Sequence, residues 1–376
     1  MKLVFYTHSL VSDWNHGNAH FLRGVMRELV REGHDVLALE PCDGWSRSNL
    51  VGEQGEAALE RFERDFPSLV SCVYDADFPH EAVLDDADVV IVHEWTDPAL
   101  IARIGRARRA GGDFTLAFHD THHRAVSARP EIAGLDLADY DLILAFGEAL
   151  SERYRRAGWG RQVVTWHEAA DTRLFRPLAG EEKECDLIWI GNWGDDERTA
   201  EIRTFLVGPA ARLGLKGTVR GVRYPAEARA ALAEAGLAYG GWIANADVPA
   251  AFARHRMTVH IPRRPYVEAL PGIPTIRVFE ALACGIPLVS APWDDAEELF
   301  RPGEDFLFAR DGAEMAAQMR RLMADPELAA SLSAHGLETI AERHSCAHRV
   351  DELLQHLVRH GTQKVRSQLA PREAAE

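Results

Sequence analysis

Cysteine is scarce in this chain: there are five in 376 residues, an odd number, widely spaced and with no CxxC pair. Cys42, Cys72, Cys185, Cys284 and Cys346 suit neither a disulfide framework nor a thiolate zinc site, and they point to reduced thiols in a cytoplasmic setting. Long apolar runs are missing as well. No stretch reaches bilayer length, and the opening Met1-Lys2-Leu3-Val4-Phe5-Tyr6 reads as a short strand turning polar at Thr7-His8-Ser9 rather than as a targeting segment. Positive charge is in deficit. With 42 basic against 58 acidic residues the formal charge is −16, which argues against a nucleic acid or an anionic membrane recognised by bulk electrostatics. Arg103, Arg106, Arg108 and Arg109 cluster, but no aromatic interleaves them, so they read as a solvated helix face. Metal signatures are absent too. The dense run Phe118-His119-Asp120-Thr121-His122-His123 has no HExxH or comparable helical spacing and no neighbouring cysteine, so no metal is expected and the histidines are expected to line a strand tip.

What is present is an alternation of short β-like runs and longer helical patterns, the sequence form of a parallel sheet with crossover helices. The length, with 47% apolar and 27% charged residues, allows two globular domains. The first unit reads as a strand from Lys2 to Thr7, a polar loop from Ser9 to Asn18, a helix from about Ala19 to Glu32 stopped by Gly33, and a strand from Asp35 to Leu39. Further strands are predicted at Val70 to Tyr74, Asp88 to His93, Phe114 to Phe118, Leu142 to Phe146 and Val163 to Thr165. Several end in polar or small residues, including His93-Glu94, His119-Asp120 and Gly147-Glu148. In open α/β sheets ligands sit beyond the carboxyl ends of strands, so these tips are expected to face a common crevice.

Charge, proline and glycine interrupt the pattern at Arg176-Pro177-Leu178-Ala179-Gly180-Glu181-Glu182-Lys183-Glu184, which marks a linker and hinge. A second series follows, with strands at Asp186 to Ile190, Gly217 to Arg220, Met257 to Ile261 and Leu288 to Ser290. The chain thus divides into domains at 1–177 and 178–342, a C-terminal helix within 343–362, and a polar tail at 363–376.

The segment Pro274 to Ser290 places one carboxylate in an otherwise apolar helix between two breakers. Pro274 suits a first helical turn and Gly285 the left-handed position after the last. Glu280 sits among Val278, Phe279, Ala281, Leu282 and Ala283, where an unsatisfied carboxylate costs on the order of several kcal/mol. Either Arg277, three residues earlier, satisfies it, or a ligand with two hydroxyls does, such as a ribose. Gly191-Asn192-Trp193-Gly194, placed between a strand and a helix, would let backbone N–H groups approach a diphosphate, and Arg198 is the nearby cation on that helix. Its alternative role is an ion pair with Asp195 or Asp196. Arg263, Arg264 and Arg277 are further cations that could stabilise a departing diphosphate. In the first loop, Asp13, Asn15, His16, Gly17 and Asn18 present polar groups, with Gly17 the expected close backbone approach.

Four motifs in order carry a resemblance. The helix Phe21 to Glu32 with Gly33-His34-Asp35-Val36, the run Val164 to Pro177, the helix Phe279-Glu280-Ala281-Leu282-Ala283-Cys284-Gly285-Ile286-Pro287, and Glu342-Arg343-His344-Ser345 with its following helix resemble the two-domain GT-B glycosyltransferases. Family 4-like enzymes and their spore-maturation CgeB-like branch are the most similar. The resemblance implies an α/β fold of two Rossmann-like doubly wound domains facing a central crevice, the first on the acceptor side and the second on the nucleotide-sugar side. It implies that the C-terminal helix packs back on the first domain. It further implies that Glu280 holds the donor ribose, with Thr275 and Arg277 beside it; that Trp242, in Ala238 to Asn245, covers the base; and that His119 touches the donor sugar near its reacting carbon. Two departures stand out: Gly272 lies where the family usually carries an acid, and Asn192 where many relatives carry an arginine.

The function implied is transfer of a sugar, hexosyl or related, from a nucleoside diphosphate to an unknown acceptor, with retention and without metal or cofactor. No pair of carboxylates suited to a double displacement is identifiable, so a same-face mechanism is expected. Two rivals share the fold: a nucleotide-sugar epimerase or hydrolase, and a non-catalytic nucleotide- or sugar-binding protein.

Overall fold

Thirteen parallel strands, separated by helices, build two sheets among the described residues of the computed structural model, which describes residues 1–194 and 196–369. The chain divides into two compact units. One comprises Met1–Glu168 and the segment from Cys346 on, the other Ala169–Ser345.

The first unit contains β1 (Lys2–Tyr6), β2 (Asp35–Pro41), β3 (Val70–Tyr74), β4 (Val89–His93), β5 (Thr115–Asp120), β6 (Leu142–Ala145) and β7 (Val163–Thr165). Their order across the sheet is β3-β2-β1-β4-β5-β6-β7. β4, β5 and β6 are buried along their whole length; β4 and β6 read as near-continuous apolar runs, as expected of parallel strands covered on both faces, while β5 also buries Thr115, His119 and Asp120. β1 pairs with β2 on one side and β4 on the other, so the order reverses there and the carboxyl ends of β1 and β4 flank a switch point.

The helix Cys346–His360 belongs to this first unit. Trp166 Nε1 donates to the Arg349 carbonyl at 2.8 Å, and Arg349 Nε donates back to the His167 carbonyl at 3.0 Å. The stretch expected as a tail begins with another helix, Gln363–Leu369. It is held by Val365, which is buried, and by Lys364 and Gln368, which reach Asp88 at 2.8 and 3.0 Å. Residues 370–376 of that expected tail, and Asp195, lie outside the described residues.

The second unit contains β8 (Cys185–Ile190), β9 (Gly217–Arg220), β10 (Leu237–Tyr239), β11 (His255–His260), β12 (Leu288–Ser290) and β13 (Leu307–Phe308), in the order β10-β9-β8-β11-β12-β13. Its switch point falls between β8 and β11. β10 is a strand absent from the sequence-predicted series; its Ala238 and Tyr239, within the run expected to cover a base, pair with Thr218 and Val219 of β9. After β11 and a short helix, Arg264–Glu268, a second helix runs Ile276–Ala283 with Thr275 at its N-cap, so Pro274 precedes the cap instead of opening the first turn. Gly285 takes the left-handed conformation expected of it, with φ 64°.

Candidate functional site

In the second unit the carboxyl ends of β8 and β11 converge on Arg198. Its Nη1 donates to the Ile261 carbonyl at 3.2 Å and its Nη2 to the Asn192 carbonyl at 3.1 Å, so one guanidinium ties together the two strand ends that flank the switch point. The turn before it is built for this approach. A Cβ on Gly191 would come within 3.2 Å of the Arg198 Nη2 and 2.8 Å of the Trp189 indole, and one on Gly194, at φ 110°, would meet Arg198 Cγ at 2.5 Å. Trp189 lies beneath the guanidinium, 5.3 Å from it.

Arg198 is held unusually acidic for its type, down to about 9, first by burial and then by repulsion from Arg263, with a further contribution from Arg277. Those two arginines are themselves paired, Arg263 with Glu197 at 2.6 Å and Arg277 with Glu280. Among the described residues Arg198 forms no ion pair; the expected partner Asp196 instead offers its carbonyl to Arg264. Arg198 is thus a buried guanidinium without a carboxylate partner among the described residues, facing two further arginines.

The neighbouring groups are partly committed already. The Gly191 N–H donates to the Arg220 carbonyl at 2.8 Å, so of the expected phosphate-facing amides this one is occupied within the sheet. Asn192 Oδ1 accepts from the Val222 N–H at 3.2 Å. The Gly191 carbonyl accepts from Tyr224 at 2.7 Å. Trp242 is half-buried, and its indole N–H meets no acceptor among the described residues.

Glu280 is fully buried, 0% exposed, and the ion pair with Arg277 that the sequence offered as one alternative is formed. Thr275 is half-buried, with its carbonyl accepting from the Val278 N–H at 3.0 Å. Gly272 is also placed. A Cβ there would lie 2.8 Å from Glu297 Cγ, so the position that lacks an acid is faced by one from the loop after β12.

In the first unit the switch point gathers His8, His16, His93, Glu94 and His119. His119 is buried against Trp166, with ring centres 4.9 Å apart, and against His93 at 5.5 Å. His93 Nδ1 lies 2.9 Å from Glu94 Oε2 without the alignment of a hydrogen bond, while its Nε2 is 3.2 Å from the Thr121 hydroxyl. That hydroxyl donates to Glu94 Oε1 at 3.3 Å and accepts from Asn18 Nδ2 at 2.6 Å. Burial pushes Glu94 up to about 8, and burial together with Glu94 pushes Asp120 up to about 7 although Tyr154 donates to it at 2.7 Å. Burial lowers His93 to about 3, and holds His8, His16 and His119 well below the usual imidazole range. Gly17 is half-buried before the helix Ala19–Arg31; the left-handed residue of its loop is Asn15, at φ 50°.

The structure therefore gathers Gly191, Asn192 and Arg198 at one switch point, sets Thr275, Arg277 and Glu280 on the helix before β12, and places His119 and Gly17 in the other unit. Sequence reasoning missed Trp45, Trp95 and Glu297. The histidines of the polar strand ends were legible, but their company was not, because residues as far apart as His8 and Trp95 meet only through the strand order.

Residues 198–355 match the model of a family described as glycosyl transferase-like. That segment starts at Arg198 and includes Trp242, Thr275, Arg277 and Glu280. A comparison with the curated proteins returns no match. Among solved structures the chain is similar to sucrose-phosphate synthase from Thermosynechococcus elongatus, at 14% identity and TM-score 0.67 over 96% of this chain and 98% of that one. It is similar to Anabaena Alr3699/HepE, solved in complex with UDP-glucose, at 13% identity and TM-score 0.68 over 96% and 100%. A glycosyltransferase from Rickettsia africae ESF-5 gives 11% identity and TM-score 0.64 over 95% and 98%. At such identities the likeness is one of fold: the two parallel Rossmann-like units are of the GT-B class.

Proposed function

We propose that this protein is a glycosyltransferase that moves a sugar from a nucleoside diphosphate to an acceptor hydroxyl. The observation that carries the reading is Arg198, buried across the β8/β11 switch point beside Arg263 and Arg277. A diphosphate there would offset the repulsion that Arg198 meets from Arg263 and Arg277, and arginines placed so would stabilise the charge that grows as the glycosidic bond breaks. The glycosyl transferase-like match covers this unit from Arg198 to its end, and the structure of a similar fold carries UDP-glucose.

In this reading the second unit, Ala169–Ser345, holds the donor. Glu280 accepts from the ribose hydroxyls with Arg277 beside it, Thr275 opens the helix toward the ligand, and Trp242 covers the base. Gly191 and Asn192 shape the turn against the diphosphate. The first unit serves the acceptor, with Gly17 at its first loop and His119 near the reacting carbon. In the step itself the C1–O bond to the diphosphate breaks and a bond from C1 to the acceptor oxygen forms. The acceptor proton passes to the departing phosphate oxygen, and the nucleoside diphosphate leaves. Transfer proceeds with retention, needs no metal, and takes place in a reducing compartment such as the cytoplasm, in keeping with five free cysteines.

UDP-glucose with a panel of hydroxyl acceptors tests this directly. A glucosylated product with the donor's anomeric configuration, formed equally fast with chelator, is the expected result. Free UDP and glucose or an epimer as the sole products would instead identify a hydrolase or an epimerase.

A further inference from the structure

The ring cluster at the β1/β4 switch point has two exposed members and a buried floor. Trp45 and Trp95 are 38% and 37% exposed, among the most exposed large apolar side chains of the described residues. Both meet His8: Trp45 stacks on it with ring centres 5.5 Å apart and planes 8° from parallel, and Trp95 meets it edge-on at 6.2 Å. Behind His8 lie His16 at 3.9 Å and His93 at 5.6 Å. His8 is only 4% exposed, yet neither ring nitrogen has a hydrogen-bond partner among the described residues.

A buried imidazole with unmet hydrogen-bonding capacity is costly unless a ligand completes it. The chemistry of that ligand follows from the charge state of the floor. Burial keeps His8, His16 and His93 neutral and Glu94 protonated below about pH 8, so each offers both a donor and an acceptor and none offers a full charge. A sugar hydroxyl is likewise donor and acceptor at once. The nearby cations are largely directed elsewhere. Arg23 pairs with Asp13 at 2.9 Å, and Arg124, 4.0 Å over Trp95, bonds the Glu94 carbonyl and lies 3.5 Å from Glu131, with only its Nε left without a partner among the described residues. A carboxylate or phosphate would therefore leave water for a single N–H of Arg124, against a floor that is otherwise uncharged. Indole faces at the exposed edge complete the match, because the C–H face of a pyranose packs on an aromatic plane while its rim of hydroxyls faces polar groups.

We propose that the acceptor is an uncharged sugar or glycoside, held against Trp45 and Trp95 with its hydroxyls on His8 and His16. This rests on the glycosyltransferase reading for the word acceptor, but the saccharide site stands on the first unit alone.

The test is ligand-observed NMR and calorimetry on the full-length protein with neutral methyl hexosides and gluco-disaccharides, their uronic acid and 6-phosphate counterparts, and UDP as a separate arm. At least one neutral saccharide is expected to bind, its charged counterparts at least tenfold more weakly. Trp95→Ala, at an exposed position, and His8→Phe, which keeps a ring but removes both nitrogens, are expected to weaken it at least tenfold while UDP affinity stays unchanged. Charged counterparts binding equally well, no effect of either substitution, or no neutral saccharide binding while UDP binds would each overturn the inference. Saccharide binding without any UDP binding would leave this site standing and remove the donor reading instead.

Discussion

Gly272 and Glu297 are in contact through space that a side chain at position 272 would need: a Cβ there would lie 2.8 Å from Glu297 Cγ and 3.0 Å from its Oε1. Gly272 also holds φ 86°, a conformation that costs an L-residue about 1–2 kcal/mol. The position where the resembled GT-B enzymes usually carry an acid is thus faced by an acid from another loop.

Gly272→Ala is accordingly expected to destabilise the protein by about 2 kcal/mol, visible in the urea midpoint. Adding Glu297→Ala is expected to recover the steric share and leave the backbone share. An unchanged midpoint in the single variant would show that the contact does not constrain the loop.

Arg277 and Glu280 make a second, electrostatic pair, with the carboxylate buried and the guanidinium a quarter exposed. Removing the cation alone leaves the acid without its counter-charge, which costs roughly 3 kcal/mol in buried pairs. Arg277→Ala is therefore expected to be less stable than the double variant Arg277→Ala/Glu280→Gln, a ranking that thermal unfolding reads without any ligand.

Arg198 uses two edges of its fork on carbonyls from two strands, a geometry that a lysine cannot reproduce. Arg198→Lys is expected to bind UDP at least tenfold more weakly than wild type at pH 7. Calorimetric titration of both proteins at pH 7 checks this; equal affinities would count against a phosphate role.

The buried titratable groups fix the shape of the stability profile. His8, His16, His93, His119 and His260 have folded values well below the unfolded one, so the unfolded chain takes up their protons first and stability falls as pH drops below about 6.5. Glu94 and Asp120 are raised, so the folded chain keeps their protons longer and stability falls as pH climbs from the ordinary carboxyl range through 7 to 8. Each group contributes up to about 1.4 kcal/mol per pH unit inside its window. The acid limb, with more groups, is expected to be the steeper one, with the melting temperature highest near pH 6 to 7; a flat profile from pH 5 to 8 would contradict it.

Most of the sheet was legible because parallel strands covered on both faces are apolar along most of their length, as in Val89–Val92 of β4, Leu116–Phe118 of β5 and the whole of β6. What escaped was short or disguised. Leu237–Tyr239 runs straight into Gly240-Gly241 and carries no alternation, Leu307–Phe308 is two residues long, and the helix Trp45–Gln54 has only Ser46 and Leu50 buried. At the sites, Glu280 and Arg277 were readable because they share one helix turn. His8 with Trp95, or Gly272 with Glu297, are joined by strand order and loop path, which local spacing does not encode.

The central claim is that the Arg198 and Glu280 unit binds a nucleoside diphosphate. Thermal shift with a panel of nucleoside diphosphates and nucleotide sugars, on wild type and Glu280→Gln, measures it most directly. The account predicts that at least one nucleotide raises the wild-type melting temperature and that the substitution removes most of that rise. No stabilisation of the wild type by any nucleotide, or an equal rise in the variant, would contradict it.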